Sequence, residues 1–380
     1  GGRSHERTSV QDYETWSSVK LEHINYLNES SSERSGDFYS ATLDYRHQFK
    51  QKGRELTAQL NLRQRDSDEE SITELYDSND DIYSALKTTE AGPSSPIRMK
   101  IDYVHPLNED TKFEAGYQSR LGESKDKTNR FSYDFDSSKY VLDPNYSTDV
   151  SYNRDIHAIY GMYASKLTSF GYQAGLRAEY TQRDFSLTGQ DSIFKLERWD
   201  FFPTLHMSYS FSEKAQMMVS YTRRIERPRG YNFEPFITWM DAYNVRRGNP
   251  DLKPEYIDSY EMGYSNYFGK TMLSAEAYYR VVNNSIERVR SVYNTNVTLH
   301  TFANAGASKT FGSEVMVNTD LFKIWNVNLM GNLYQYKIEG EYDGKEFSRE
   351  SFNWSARFNN TVNIGKTTRF QLNASYNSPT

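Results

Sequence analysis

Apolar and polar residues alternate along nearly the whole chain. Tyr39, Ala41, Leu43 and Tyr45 are separated by Ser40, Thr42 and Asp44. Leu56, Ala58, Leu60 and Leu62 alternate with Thr57, Gln59, Asn61 and Arg63. The same rhythm recurs at Ile97–Tyr103, Tyr172–Tyr180, Leu205–Phe211 and Phe370–Tyr376. A period of two places one apolar and one polar face on an extended strand. Few windows carry the period of an amphipathic helix. The rows predict strands of roughly 10 to 15 residues, as a tilted bilayer span requires. Aromatic residues close many rows, as at Tyr39 and Tyr45, Tyr172 and Tyr180, and Tyr209 and Phe211. Rings in those places suit the two interfaces of a membrane.

Short turns are expected at Gln51-Lys52-Gly53, Ser212-Glu213-Lys214, Gly269-Lys270 and Gly365-Lys366. Long polar connections are expected at 64–95, 137–150, 184–198, 226–254 and 338–349. Short turns at one end and long loops at the other are the habit of outer-membrane barrels. The predicted fold is all-β, a transmembrane antiparallel up-and-down β-barrel. Roughly sixteen or seventeen strands are expected, with residues 1–380 forming one barrel domain. An even strand number is usual in a closed barrel, and the chain ends on Ser378-Pro379-Thr380. The expectation is therefore a partial barrel.

Composition sharpens this picture. The chain has 31 Tyr, 21 Phe and 5 Trp, yet mean hydropathy is −0.83. Aromatics facing lipid and polar residues facing a wet lumen reconcile the two. No apolar run is long enough for a helical span. The absence of Cys excludes disulfides and thiolate metal sites. A net charge of −6 argues against nucleic acid as a partner.

The sharpest stretch lies at 219–264, where a strand ending at Arg224 and a long loop with three prolines lead into the motif. The motif runs Asn244-Val245-Arg246-Arg247-Gly248-Asn249-Pro250-Asp251-Leu252-Lys253-Pro254-Glu255 and closes with Ser259-Tyr260-Glu261-Met262-Gly263-Tyr264. Gly, Asn and Pro together make a turn, and Glu255 opens a new alternating strand. This stretch resembles the TonB-dependent outer-membrane receptors, particularly the large barrels abundant in Bacteroidetes. Gly248, Asn249, Pro250, Leu252, Pro254 and Glu255 carry the landmark. The resemblance implies a barrel of about 22 strands with an N-terminal plug, of which this chain holds only part. It implies energy-coupled uptake of a large scarce nutrient: an iron chelate, cobalamin, glycan or peptide. The implied partners are outer-membrane lipids, a TonB-type coupling protein acting through the parent's N-terminal region, and a surface lipoprotein. The implied location is the bacterial outer membrane, and no cofactor is implied.

The 226–254 loop is the expected extracellular ligand contact. Its candidates are Arg227, Arg229, Tyr231, Phe233, Phe236, Trp239, Tyr243, Arg246 and Arg247. The arginines, with Arg223 and Arg224, could focus an anionic ligand. They could equally pair with Glu226, Asp241 and Asp251. The aromatics could stack on a ligand or form a small loop core. Asp77, Asn79, Asp80 and Asp81 offer oxygens of a kind calcium takes, without the EF-hand spacing. His206 sits on a polar face and is expected in the lumen. No nucleophile elbow, P-loop or His-Glu-x-x-His motif supports an enzyme. A passive or structural barrel, an outer-membrane hydrolase and a soluble secreted β-protein are the competing readings. A plug and coupling box in the parent would separate the receptor from the passive barrel. Dependence of catalysis on one Ser, Asp or His would mark the hydrolase. A monodisperse chain without detergent would mark the soluble protein.

Overall fold

The computed structural model describes residues 2–17, 22–187, 194–241, 243–322, 324–342, 344–365 and 367–379. The backbone is almost wholly extended, interrupted among these residues by 3-10 turns at 144–146 and 230–232. In chain order the strands are β1 (Gly2–Ser17), β2 (Glu22–Gln48), β3 (Glu55–Tyr76), β4 (Ile82–Ser94), β5 (Ile97–Pro106), β6 (Thr111–Asp134) and β7 (Lys139–Leu142). Next come β8 (Thr148–Leu167), β9 (Phe170–Leu187), β10 (Phe194–Ser210), β11 (Ala215–Glu226), β12 (Thr238–Asp241), β13 (Asn244–Arg246) and β14 (Glu255–Phe268). The last are β15 (Thr271–Asn283), β16 (Ile286–Asn294), β17 (Val297–Asn304), β18 (Ala307–Leu321), β19 (Trp325–Tyr342), β20 (Lys345–Ile364) and β21 (Thr368–Asn377).

Seventeen of these strands form one sheet, and its pairs are antiparallel. Sequence neighbours pair up and down, as the alternation predicted. β4 and β5 together form one stave, because both pair with β3 and with β6. The break falls at Ser95-Pro96, where proline cannot donate to the ladder. The Pro96 carbonyl still accepts from Arg63 N at 3.1 Å.

The apolar rows face outward. Leu43 is 68% exposed, and Ile159, Phe201, Met262, Leu333 and Leu372 on other strands are exposed too. In water such a belt would be unfavourable, whereas hydrocarbon accepts it without desolvation cost. The opposite face carries Arg177, Glu179, Asp200, His206 and Glu261. A cavity of about 1450 Å³ brings residues of distant strands together, from Lys52 through His206 to Glu276. The sheet therefore curls around a polar lumen.

Two expectations need correction. Strands are longer than the apolar rows; β2 runs for 27 residues. Most of 64–95 and 338–349, expected as loop, is strand. The ladder continues because register-matched backbone groups pair whatever the side chains, for example Asp66 opposite Asp37. The hairpin turn at 77–81 is closed by the Asp77 carboxylate, which accepts from the backbone N–H groups of Asn79 (2.8 Å) and Asp81 (3.0 Å). The acidic cluster is thus turn chemistry. Residues 188–193, within the expected 184–198 connection, and Lys366 lie outside the described residues. Gly53, Gly269 and Gly365 occupy the short turns with positive φ, as those turns require.

Candidate functional site

At the end opposite the short turns, 226–254 and 284–306 fold together into a module. Its framework is a second, four-stranded sheet in the order β12-β13-β17-β16. β13 and β17 run parallel, although Val245 and its partner Leu299 are 54 positions apart in the chain (299 less 245). Both residues are buried. Beside the sheet, Phe233, Leu252 and Phe302 form a small core, with Tyr231 and Ile286 packed against it.

The landmark motif locks this module. Gly248 N donates to Glu234 O at 2.7 Å, and Asn249 N to Asn232 O at 2.6 Å. The Asn249 amide reaches across to Phe302 O at 3.1 Å. Lys253 N donates to the Asn304 carboxamide oxygen (2.8 Å), whose nitrogen donates back to Lys253 O (2.9 Å). The Glu255 carboxylate accepts from Ile286 N at 2.6 Å. Gly248 has no room for a side chain: an added Cβ would lie 2.5 Å from Glu234 N. Space, rather than φ, demands glycine here. Asn304, Phe302 and Ile286 carried no local signal in the sequence, because their partners are distant.

The arginines split into two groups. Arg227 points into the wall, where it donates to the carboxylate of Glu179 (2.7 Å) and the hydroxyl of Thr181 (3.1 Å), and pairs with Asp200 at 3.5 Å. Glu179 and Asp200 are buried and also hold Arg177 and Arg198, respectively. Tyr256 donates to Asp200 as well. Arg246 pairs with Glu234 at 3.2 Å and lies over Tyr231 at 5.1 Å. Arg223 pairs with Asp258 at 3.8 Å. The partners found differ from the sequence neighbours Glu226, Asp241 and Asp251, because cross-strand register brings other acids closer; the Asp241 side chain lies outside the described residues. The exposed group is Arg224, Arg229 and Arg247, which form no ion pair among the described residues. Burial pushes the Glu234 carboxyl above the ordinary range, against the pull of Arg246.

The aromatics serve mainly as staples. Arg183, which the sequence did not single out, lies buried over Phe233 at 3.6 Å and Phe194 at 4.8 Å. Arg130 is held between Tyr146 (4.4 Å) and Trp239 (4.6 Å), and Tyr293 meets Trp239 edge-on at 6.5 Å. These contacts join the module to β6 and to the 3-10 turn at 144–146. Phe236 lines a small cleft beside Trp239. Tyr243 is half-buried, and its carbonyl accepts from Thr298 N. His206 lines the lumen cavity and sits 3.0 Å from the Thr204 hydroxyl. Among the described residues no group of His, Asp and Glu has the arrangement of a metal site.

Residues 47–380 match the outer membrane protein beta-barrel family, which places the wall in the bacterial outer membrane. No curated protein matches the sequence. The copper transporter OprC has a similar fold, at TM-score 0.53 and 8% identity, over 96% of this chain and 70% of that one. So does the RagAB peptide transporter, at TM-score 0.52 and 11% identity, over 90% of this chain and 46% of that one. The Serratia marcescens hemophore receptor HasR, in complex with its hemophore HasA and heme, matches at TM-score 0.48 and 13% identity, over 99% of this chain and 76% of that one. The barrel fold expected from the alternation is the one this chain shares with its family and with these transporters.

Proposed function

We propose, from the premise that this chain belongs to the outer membrane protein beta-barrel family, that it forms the wall and outer cap of a nutrient-uptake receptor. The observation that carries this reading is the folded module at one end of a polar lumen. A passive pore needs no such cap. The module here is held by a buried core, a second sheet and ion pairs into the wall. Its exposed Arg229 and Arg247 are the best remaining ligand contacts among the sequence candidates. Tyr231, Phe233 and Trp239 instead pack within the module or against the wall. The ligand is a large scarce nutrient, captured outside. Energy for its passage comes from a TonB-type coupling protein, through sequence N-terminal to this chain in its parent. A surface lipoprotein would meet the same module.

The experiment exploits the absence of Cys from these 380 residues, with the unsubstituted parent as the labelling control. Arg229→Cys and Arg247→Cys variants of the parent protein are displayed in intact cells and treated with a membrane-impermeant maleimide. Labelling before permeabilisation is expected. Labelling only afterwards would place the module on the periplasmic side and defeat the reading. Uptake that survives collapse of the inner-membrane proton gradient would remove the energy-coupled part.

A further inference from the structure

The outer sheet ends in an open strand. β16 pairs with β17 on one side and, among the described residues, with nothing on the other. Such an edge leaves a row of backbone N–H and C=O groups without strand partners. On this strand Arg288, Arg290 and Val292 share one face by the period of two. Arg288 and Arg290 are exposed, and Val292 is 83% exposed. Neither arginine is in an ion pair among the described residues. Arg288 lies over the Phe302 ring at 6.0 Å, which anchors its stem to the module core. Arg290 stands opposite His300 on β17, and His300 stands beside Arg246 on β13. One face therefore carries a basic row across three strands, ending at the open edge. The His300 Nε2 is engaged with the Asn244 side chain at 2.9 Å, while its Nδ1 is buried with no partner.

We propose that the β16 edge binds a free, extended acidic peptide, which adds to the outer sheet as a fifth strand. Main-chain hydrogen bonds to the edge supply affinity, and pockets or charges at alternate positions supply selectivity. Acidic side chains two residues apart fall directly opposite Arg288 and Arg290, about 5 Å away in Cβ terms. A hydrophobic residue two further along meets Val292. A second copy of this chain is the wrong occupant for this edge, because pairing β16 with itself sets arginines against arginines. The irregularity between Val292 and Asn294 limits the paired length to Ile286–Val292. This binding is independent of energy coupling and of which side of the membrane the module faces, so its failure leaves the uptake reading intact.

The test uses the full chain in detergent micelles and fluorescent eight-residue probes. The first alternates Glu and Thr; the second replaces Glu by Lys; the third and fourth are the Glu probe with N-methyl groups at every second amide, in either phase. The Glu probe is expected to bind, and the Lys probe to bind far less. One N-methyl phase is expected to weaken binding at least tenfold while the other does not, because alternate amides face one edge. Arg288→Gln with Arg290→Gln should weaken the Glu probe by roughly two- to thirtyfold, from about 0.2–1 kcal/mol for each cross-strand charge pair. Arg288→Glu with Arg290→Glu should reverse the preference toward the Lys probe. The proposal is overturned if both N-methyl phases bind like the parent probe. Equal binding of dextran sulfate, or no difference between wild type and the Gln pair, overturns it as well. Concentration-dependent dimerisation that the Glu pair strengthens would show a second copy to be the occupant.

Discussion

Gly248→Ala tests the lock at the centre of the module built from 226–254 and 284–306. The added methyl would sit 2.5 Å from Glu234 N and 2.7 Å from the carbonyl carbon and oxygen of Asn232. All three are backbone atoms of one turn, so no side chain can swing aside. Restoring ordinary contact needs a backbone shift near 1 Å. That shift breaks the hydrogen bonds Gly248 N to Glu234 O and Asn249 N to Asn232 O. Each contributes about 1 kcal/mol net. Strain from overpacking adds about 1–3 kcal/mol. The module should therefore lose about 3–5 kcal/mol against local opening, with the barrel wall intact. At about 1.4 kcal/mol per factor of ten, its open population rises by about two to three and a half orders of magnitude, up to the module's own stability. Trypsin reports that population when opening is fast, and Arg229 and Arg247 supply exposed cleavage sites. Gly230→Ala is the matched control. An added Cβ there meets nothing within 4 Å. Cleavage after Arg229 and Arg247 should accelerate in Gly248→Ala and stay near wild type in Gly230→Ala. Equal rates in the two variants would refute the steric reasoning.

Further outcomes follow from the same structure. Arg227→Met leaves the buried carboxylates of Glu179 and Asp200 with one cation each; breaking a buried pair costs about 3–5 kcal/mol, and the remaining arginines reduce this, so urea unfolding from vesicles should show a loss of about 2–4 kcal/mol. Adding Asp200→Asn to Arg227→Met should recover part of that loss, and simple additivity would count against the latch. The Glu234 carboxyl is raised in the folded module, so the folded state holds its proton more tightly than the unfolded chain; stability is greatest at acid pH and falls as pH rises through the raised value. Hydrogen exchange of 230–254, corrected for intrinsic rates, should thus show more protection at pH 5 than at pH 7, and Glu234→Gln should flatten the difference. Met262→Arg puts a charge on the lipid face and should cost about 2–4 kcal/mol of bilayer stability near the midplane, whereas Glu261→Gln on the lumen face should cost little; comparable losses at both would invert the assigned faces.

The strand faces were legible because period two is a local property. Tyr39, Leu43, Met262 and Leu372 could be assigned outward from their immediate neighbours, and all are exposed. Strand length was less legible. At 66–74 the sequence is rich in carboxylates, yet β3 continues, since pairing with β2 and β4 satisfies the backbone regardless of the side chains. The landmark motif was visible as a turn and a strand start. Its partners were not: Asn232, Phe302 and Asn304 are fixed by contacts across the chain. The same limit applied to the arginines. Sequence spacing offered Glu226 and Asp251, while the fold delivered Glu179 and Asp200 to Arg227.

By itself, then, the sequence determined an antiparallel β-wall with apolar and aromatic residues outward and polar residues inward. Alternation, turn glycines and strand rhythm act over a few residues, so no tertiary information was needed. Only the tertiary structure decided that the 226–254 loop is a folded module with its own sheet and core. It alone decided which arginines are spent on the wall and which face solvent. It also exposed the edge of β16, because an unpaired strand edge is a property of what lies beside it in space.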